Sequence, residues 1–199
     1  MGYFIVLEGL DGSGKTSVSR TLINLLNMQG VKALYTYEPF GRDFIKLMNT
    51  YGRRLGGVME AFLMAADRFN HVTTVIEPAL KEGMVVVSDR YYYSSIAYQG
   101  AKDVDVSWVK TLNSFAPEPD VAIYLDVEPE LGLARKKTSS TKIRYMEEDV
   151  DFLRRVRLIY RGLVTRGSLI EVDASRPLEE VVSECSRVIC KRLNILCQP

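Results

Sequence analysis

An open, doubly wound α/β sheet of about five parallel strands is the fold class this sequence predicts, and three observations predict it. Short apolar runs alternate with longer stretches of helical period. The runs are nearly continuous in Val, Ile and Leu, as strands are when helices cover both faces of a parallel sheet. Glycines and prolines that stop helices stand between the two kinds of segment.

The first run, YFIVL from Tyr3 to Leu7, is stopped by Glu8 and followed at once by EGLDGSGKTS. Helical period then holds from Thr16 to Met28 and ends at Gly30. KALYTY (32–37) reads as the second strand, and a long polar-apolar region follows it to Leu80, closed by Gly83. MVVVS (84–88) is the third strand. A helical stretch from Val106 to Phe115 leads through Pro117 and Pro119 to the fourth, VAIYLDV (121–127). SLIEV (168–172), after Gly167, is the fifth. No repeat, low-complexity tract or linker interrupts the order, so residues 1–199 are expected to form one domain.

The totals exclude several function classes. With 26 basic and 25 acidic residues the net charge is +1, which argues against bulk attraction to nucleic acid or to anionic membrane. No apolar run approaches the roughly 18 residues that span a bilayer, and the default expectation is a cytoplasmic address. The three cysteines, Cys185, Cys190 and Cys197, match no zinc or redox spacing and read as reduced packing thiols. His71 is the single histidine, which excludes a two-histidine metal site.

Gly9, Gly14, Lys15 and Thr16 fit the pattern G-x-x-x-x-G-K-[ST], placed after a strand and opening a helix. Glycines let successive backbone N–H groups point inward at phosphate oxygens, where a side chain would block close approach. The helix dipole and the lysine ammonium add positive charge, and the Thr16 hydroxyl can serve a magnesium ion shared with the phosphates. The stretch from Gly9 through Leu10, Asp11, Gly12 and Ser13 to Thr16 therefore predicts a site for a nucleoside triphosphate. It does not choose among the classes that share such a loop, although the absence of N-K-x-D disfavours a guanine switch.

Other residues narrow the reading. VVVSDRYYYSSIAYQG puts Asp89 at a strand's carboxyl end, near the loop if the strands are neighbours, where it could bind magnesium and Arg90 could bridge phosphates. An ordinary strand-end ion pair is the alternative. Arg68 in FLMAADRFNHV reads either as a surface charge or as a ligand contact, and Glu38-Pro39 as a strand exit. RKKTSSTKIR (135–144) is either a solvated loop or a basic lid over a polyphosphate.

Together, EGLDGSGKT, the EP after the second strand, AADRxxH (65–71), DRYxxSxxAYQG (89–100), PDVAIYLDV and DFLRRVRLIY (151–160) resemble the thymidylate kinase family. The resemblance implies a P-loop kinase fold with a short basic lid at about 135–147, and transfer of the terminal phosphoryl of ATP to dTMP with Mg2+. It implies that Asp11 meets the acceptor's 3'-hydroxyl, and that Arg90 clamps the acceptor phosphate. Lys46, where the family usually has arginine, is a further phosphate contact. Glu38 belongs to the acceptor side, Arg68 meets the thymine edge with Ser95 and Gln99 beside it, and Tyr98 crowds the sugar. Gly12 stands where one branch has an arginine, so Arg144 of the lid is expected to supply that charge. Met64 stands where many relatives stack a phenylalanine on the base. Relatives are commonly homodimers, and the apolar faces near 58–66 and 152–164 read either as interfaces or as core packing. Two competing readings are a deoxynucleoside kinase and an ATP-dependent assembly module.

Overall fold

The computed structural model describes residues 2–136 and 149–197, the side chains of 52–55 and 136 left aside. Its strands are β1 (Tyr3–Gly9), β2 (Ala33–Tyr37), β3 (Val85–Asp89), β4 (Val121–Asp126) and β5 (Ile170–Asp173). All pair in parallel, in the order β2-β3-β1-β4-β5. The helices among the described residues are α1 (Lys15–Met28), α2 (Arg42–His71), α3 (Glu77–Lys81), α4 (Tyr92–Gly100), α5 (Val106–Leu112), α6 (Pro129–Lys136), α7 (Val150–Thr165) and α8 (Leu178–Leu193). A π-helical turn, Val72–Ile76, joins α2 to α3.

The continuous apolar strands are explained by what lies on each side. Phe4 and Val6 of β1 pack into one core layer with residues of α3, α4, α5 and α7, while Ile5 and Leu7 pack into the other with α1 and α8. Each large side chain buried this way contributes about 1.5–3 kcal/mol. β1 lies between β3 and β4, with Leu7 opposite Asp89 and Gly9 opposite Leu125. The carboxyl ends of β1 and β3 thus open on one crevice at the centre of the sheet, the usual ligand position in such folds.

Four details depart from the sequence expectations. The long region before Leu80 contains α2, a 30-residue helix interrupted at Gly56, whose φ of 65° and ψ of 168° break the helical run. α5 ends at Leu112 rather than Phe115, because Asn113 Nδ2 turns back to donate to the Val109 carbonyl at 2.8 Å. α6 extends through Lys136, so Arg135 and Lys136 belong to a helix and not to a loop; Arg135 donates to the Ala174 and Ser175 carbonyls at 2.8 and 3.1 Å. Finally, Cys190 and Cys197 form a disulfide, which corrects the packing-thiol reading for both. The left-handed residues Asn194 and Leu196 turn the chain back after α8 and bring the two Cα atoms to 4.9 Å. Cys185 is buried and free, as a packing thiol should be. Among the described residues no helix is long and apolar enough to cross a membrane.

Candidate active site

The loop from Gly9 to Thr16 leaves β1 and enters α1. Gly14 caps the helix at φ 91°, and Gly12 holds φ 80°, a region that favours glycine. Gly12 also has no room for a side chain, since a Cβ there would lie 2.0 Å from the Gly132 carbonyl oxygen of α6. The first turn of α1 carries no acidic residue, so its amides and dipole offer uncompensated positive potential. Lys15 is buried, and its ammonium donates to the carbonyls of Gly9 and Leu10 at 3.1 and 2.8 Å and lies 3.4 Å from Ser13 Oγ. Burial first, then the positive charge of Arg90, push it down to about 8.

The β1–β3 register brings Asp89 and Arg90 to this loop. Thr16 Oγ1 donates to Asp89 Oδ2 at 2.5 Å. A hydroxyl and a carboxylate side by side are the oxygen donors that Mg2+ prefers. Among the described residues no group of three or more His, Cys, Asp and Glu side chains could hold a metal alone, so phosphate oxygens would have to complete such a site. The Arg90 N–H donates to the Leu7 carbonyl at 2.9 Å, and the residue sits at φ 75°, uncommon for a non-glycine. Its guanidinium pairs with Asp11, donates to the Gly9 carbonyl at 3.1 Å and to Ser94 Oγ at 3.0 Å, and lies over the Tyr98 ring. Beneath it Glu8 is fully buried and hydrogen-bonded to Tyr91, Ser94 and Tyr160. Burial raises its carboxyl above the usual range, against the lowering effect of Ser94 and Arg90.

A second cluster forms where α2 passes the end of β2. Glu60, Met64, Arg68 and His71 recur at helical spacing, so they share one face of α2. Arg68 is buried, with Nε and Nη2 donating to Glu38 Oε2 at 2.8 and 2.6 Å, Nη1 to Asn113 Oδ1 at 2.5 Å and Nη2 to Ser95 Oγ at 3.2 Å. This rules out the surface-charge reading of Arg68 and makes Glu38 more than a strand exit. His71 lies between Thr36 and Glu38, Nε2 at 2.6 Å from Thr36 Oγ1 and Nδ1 at 3.2 Å from Glu38 Oε1. Because a carboxylate accepts only, Nδ1 carries a proton there. Asp67, its carboxyl raised chiefly by burial, accepts the Phe40 and Gly41 N–H groups, each at 2.7 Å, and so fixes the turn after Glu38. Gln99 is buried with its Nε2 3.4 Å from Glu60, and its Oε1 is unpaired within the described residues. Glu60 is held by Lys102 at 2.6 Å.

Asp11, Lys15, Thr16, Asp89 and Arg90 thus meet at one crevice, with Ser95, Tyr98 and Gln99 following on α4 and Glu38 and Arg68 alongside. Met64 is half-buried on α2, whereas Lys46 is exposed on the same helix. Arg144 lies outside the described residues. Sequence reading missed Glu8, Asn113 and Tyr160. Only Glu8 left a signal, a carboxylate at the end of an otherwise apolar strand.

The thymidylate kinase family model matches residues 7–185. A probable thymidylate kinase of Staphylothermus marinus is 40% identical over 193 residues, covering 96% of each chain. One from Pyrococcus horikoshii is 43% identical over 192 residues, 92% of this chain and 93% of that one. The thymidylate kinase of Francisella tularensis is 35% identical over 202 residues, 96% of this chain and 97% of its own. With the phosphate loop, the parallel sheet and matches across nearly the full length, the chain belongs to the thymidylate kinase family, ATP-using kinases that phosphorylate dTMP to dTDP.

Proposed function

We propose that the loop Gly9–Thr16 holds the phosphates of ATP while Arg90 presents the phosphate of dTMP end-on to them, within one kinase domain spanning 1–199. The observation that carries this reading is the convergence of Lys15, the Thr16–Asp89 pair and the Asp11–Arg90 pair at the ends of β1 and β3. A dTMP phosphate oxygen, already ionised, attacks the terminal phosphorus of ATP. The new P–O bond forms as the bond to the β-phosphate oxygen breaks, and ADP leaves. No strong base is required, so the residues contribute position and charge. Lys15 and Arg90 spread the developing negative charge, and Asp11 moves from Arg90 to the acceptor sugar. Thr16 and Asp89 would hold Mg2+, which neutralises phosphate charge when bound.

Arg68, Ser95 and Gln99 face the base, with Met64 covering one side of it and Tyr98 crowding the sugar. Glu38 orients Arg68 from behind, and Lys46 reaches the acceptor phosphate from α2. Arg144 is proposed to supply positive charge to the transferring phosphoryl group, so Arg144→Ala should lower turnover by about 10³. An unchanged rate in that variant, and in variants of Lys137 and Lys142, would refute the lid.

The enzyme is proposed to pair with a second copy through α2, where Val58, Met59, Phe62 and Phe69 are 53, 45, 48 and 54% exposed. Phe62 meets Trp108, and Phe69 meets Phe115, extending one apolar surface. At 152–164 core packing accounts for Leu153, Val156, Tyr160 and Leu163, which are buried, and only Leu158 of the large apolar residues there is strongly exposed. Light scattering should give a dimer for the wild type and a monomer for Phe62→Glu; a monomeric wild type at micromolar concentration would refute pairing.

An acceptor panel tests the function as a whole. Release of ADP should depend on dTMP, with dUMP weaker; faster release with dGMP or dCMP would reject that ranking.

A further inference from the structure

Glu8 has no part in the chemistry above, yet it is completely buried at the end of β1. A buried carboxylate is retained only where its oxygens are well served. Oε1 accepts the N–H of Tyr91 at 2.8 Å and of Ser94 at 3.1 Å. Oε2 accepts the hydroxyl hydrogens of Ser94 at 2.6 Å and Tyr160 at 2.9 Å.

Tyr91 is the N-cap of α4 and provides no side-chain cap, and Ser94 is the third helical residue. In a capping box the side chains of these two positions serve each other's amides. Here a single carboxylate oxygen from a neighbouring strand serves both. The Ser94 hydroxyl, having given its hydrogen to Glu8, turns its oxygen to accept from Arg90 Nη1 at 3.0 Å. Arg90 directly precedes the cap. Both its left-handed backbone and its guanidinium are therefore braced by groups that Glu8 holds. Tyr160, stacked on Tyr124 with ring centroids 4.7 Å apart, fixes the carboxylate from the far side.

We propose that Glu8 is a positioning residue for phosphoryl transfer, fixing the Arg90 guanidinium through Ser94 and the first turn of α4. The proposal rests on the reading of Arg90 as a phosphate-binding group. Reacting groups displaced by about 1 Å can lose on the order of 10²-fold in rate, so small relaxations of this brace should be visible in turnover.

The test is steady-state kinetics and thermal melting of Glu8→Gln, Ser94→Ala and Arg90→Ala, and of each of the first two combined with the third. Glutamine keeps the shape but has one acceptor oxygen and a donating NH2 group, so it cannot accept from both amides and both hydroxyls. Glu8→Gln should lower kcat about 10- to 100-fold and Ser94→Ala about 10-fold, with KM for ATP changed less than about 2-fold. In the Arg90→Ala background both losses should vanish. If Arg90→Ala is severely impaired while Glu8→Gln and Ser94→Ala turn over at the wild-type rate, Glu8 does not position Arg90. Losses that add in full to that of Arg90→Ala overturn the proposal equally. A fully active Arg90→Ala would instead overturn the reading of Arg90 itself. Should Glu8→Gln fail to fold, Ser94→Ala, which deletes only the hydroxyl relay, decides the matter.

Discussion

The phosphate loop and the cluster around Arg68 share one edge of the sheet but are built in opposite ways. The loop is eight consecutive residues whose backbone is proposed to bind the phosphates, with Thr16 exposed at its rim. The Arg68 cluster is made of side chains drawn from positions 30, 45 and 27 residues away, namely Glu38, Asn113 and Ser95. All of them are buried, and they satisfy one another. The contrast separates activity from stability. A loop of inward amides can lose a side chain and stay folded, whereas a closed buried network that loses one partner strands the others.

Changes in the loop should therefore cost turnover and changes in the cluster should cost folding. Lys15→Ala in the loop, and Arg90→Ala beside it at the end of β3, are expected to lower kcat by about 10³ each. Lys15→Ala should do so without loss of melting temperature, because burial already disfavours the ammonium. Loss of melting temperature with retained kcat would erase the distinction. Glu38→Ala should destabilise the fold by about 3–5 kcal/mol in urea titrations, since it leaves the Arg68 cation buried and unpaired. A loss below about 1 kcal/mol, as for an exposed pair, would mean that the cluster is wet.

Smaller effects sharpen the same comparison. Replacing dTMP by dUMP removes one methyl from the base side and should lower kcat/KM by about 10-fold or more, measured by coupled ADP release. The pH response belongs to the loop. Lys15 sits at about 8 in the fold against an ordinary value of 10.5. Between those values the unfolded chain holds a proton that the folded chain has lost, so this group's contribution to stability rises with pH across that window. Polyphosphate binding favours the ammonium and should take up as much as one proton above pH 8. Calorimetric ATP titrations in buffers of different ionisation enthalpy measure that uptake; proton release instead would remove Lys15 from the phosphates.

The same contrast explains what could be read from the chain. The strands and the loop are local or periodic features, so YFIVL, MVVVS and GLDGSGKT carried them plainly, whereas the order β2-β3-β1-β4-β5 is a long-range property that no single segment states. Arg68 could not be resolved from sequence, because the groups that receive its guanidinium, Glu38, Ser95 and Asn113, come from three separate segments 27 to 45 residues away. Tyr160 joins Glu8 across 152 residues, a separation over which no spacing rule operates. The Cys190–Cys197 bond depends on two left-handed residues, Asn194 and Leu196, and the second is a leucine, which gives no turn signal. The loop reading of Arg135 and Lys136 failed because a basic run looks alike in a loop and on a helix, and the Arg135 contacts that fix it on α6 lie 39 and 40 residues away.

The central claim is that this crevice brings two anions end to end. Its most direct measurement is ADP release at saturating ATP with dTMP and with thymidine, in the wild type and in Arg90→Ala. Rapid release with dTMP, none with thymidine and a collapse of the dTMP rate in Arg90→Ala is the expected result. Comparable release with thymidine, or a dTMP rate undiminished in Arg90→Ala, would contradict it.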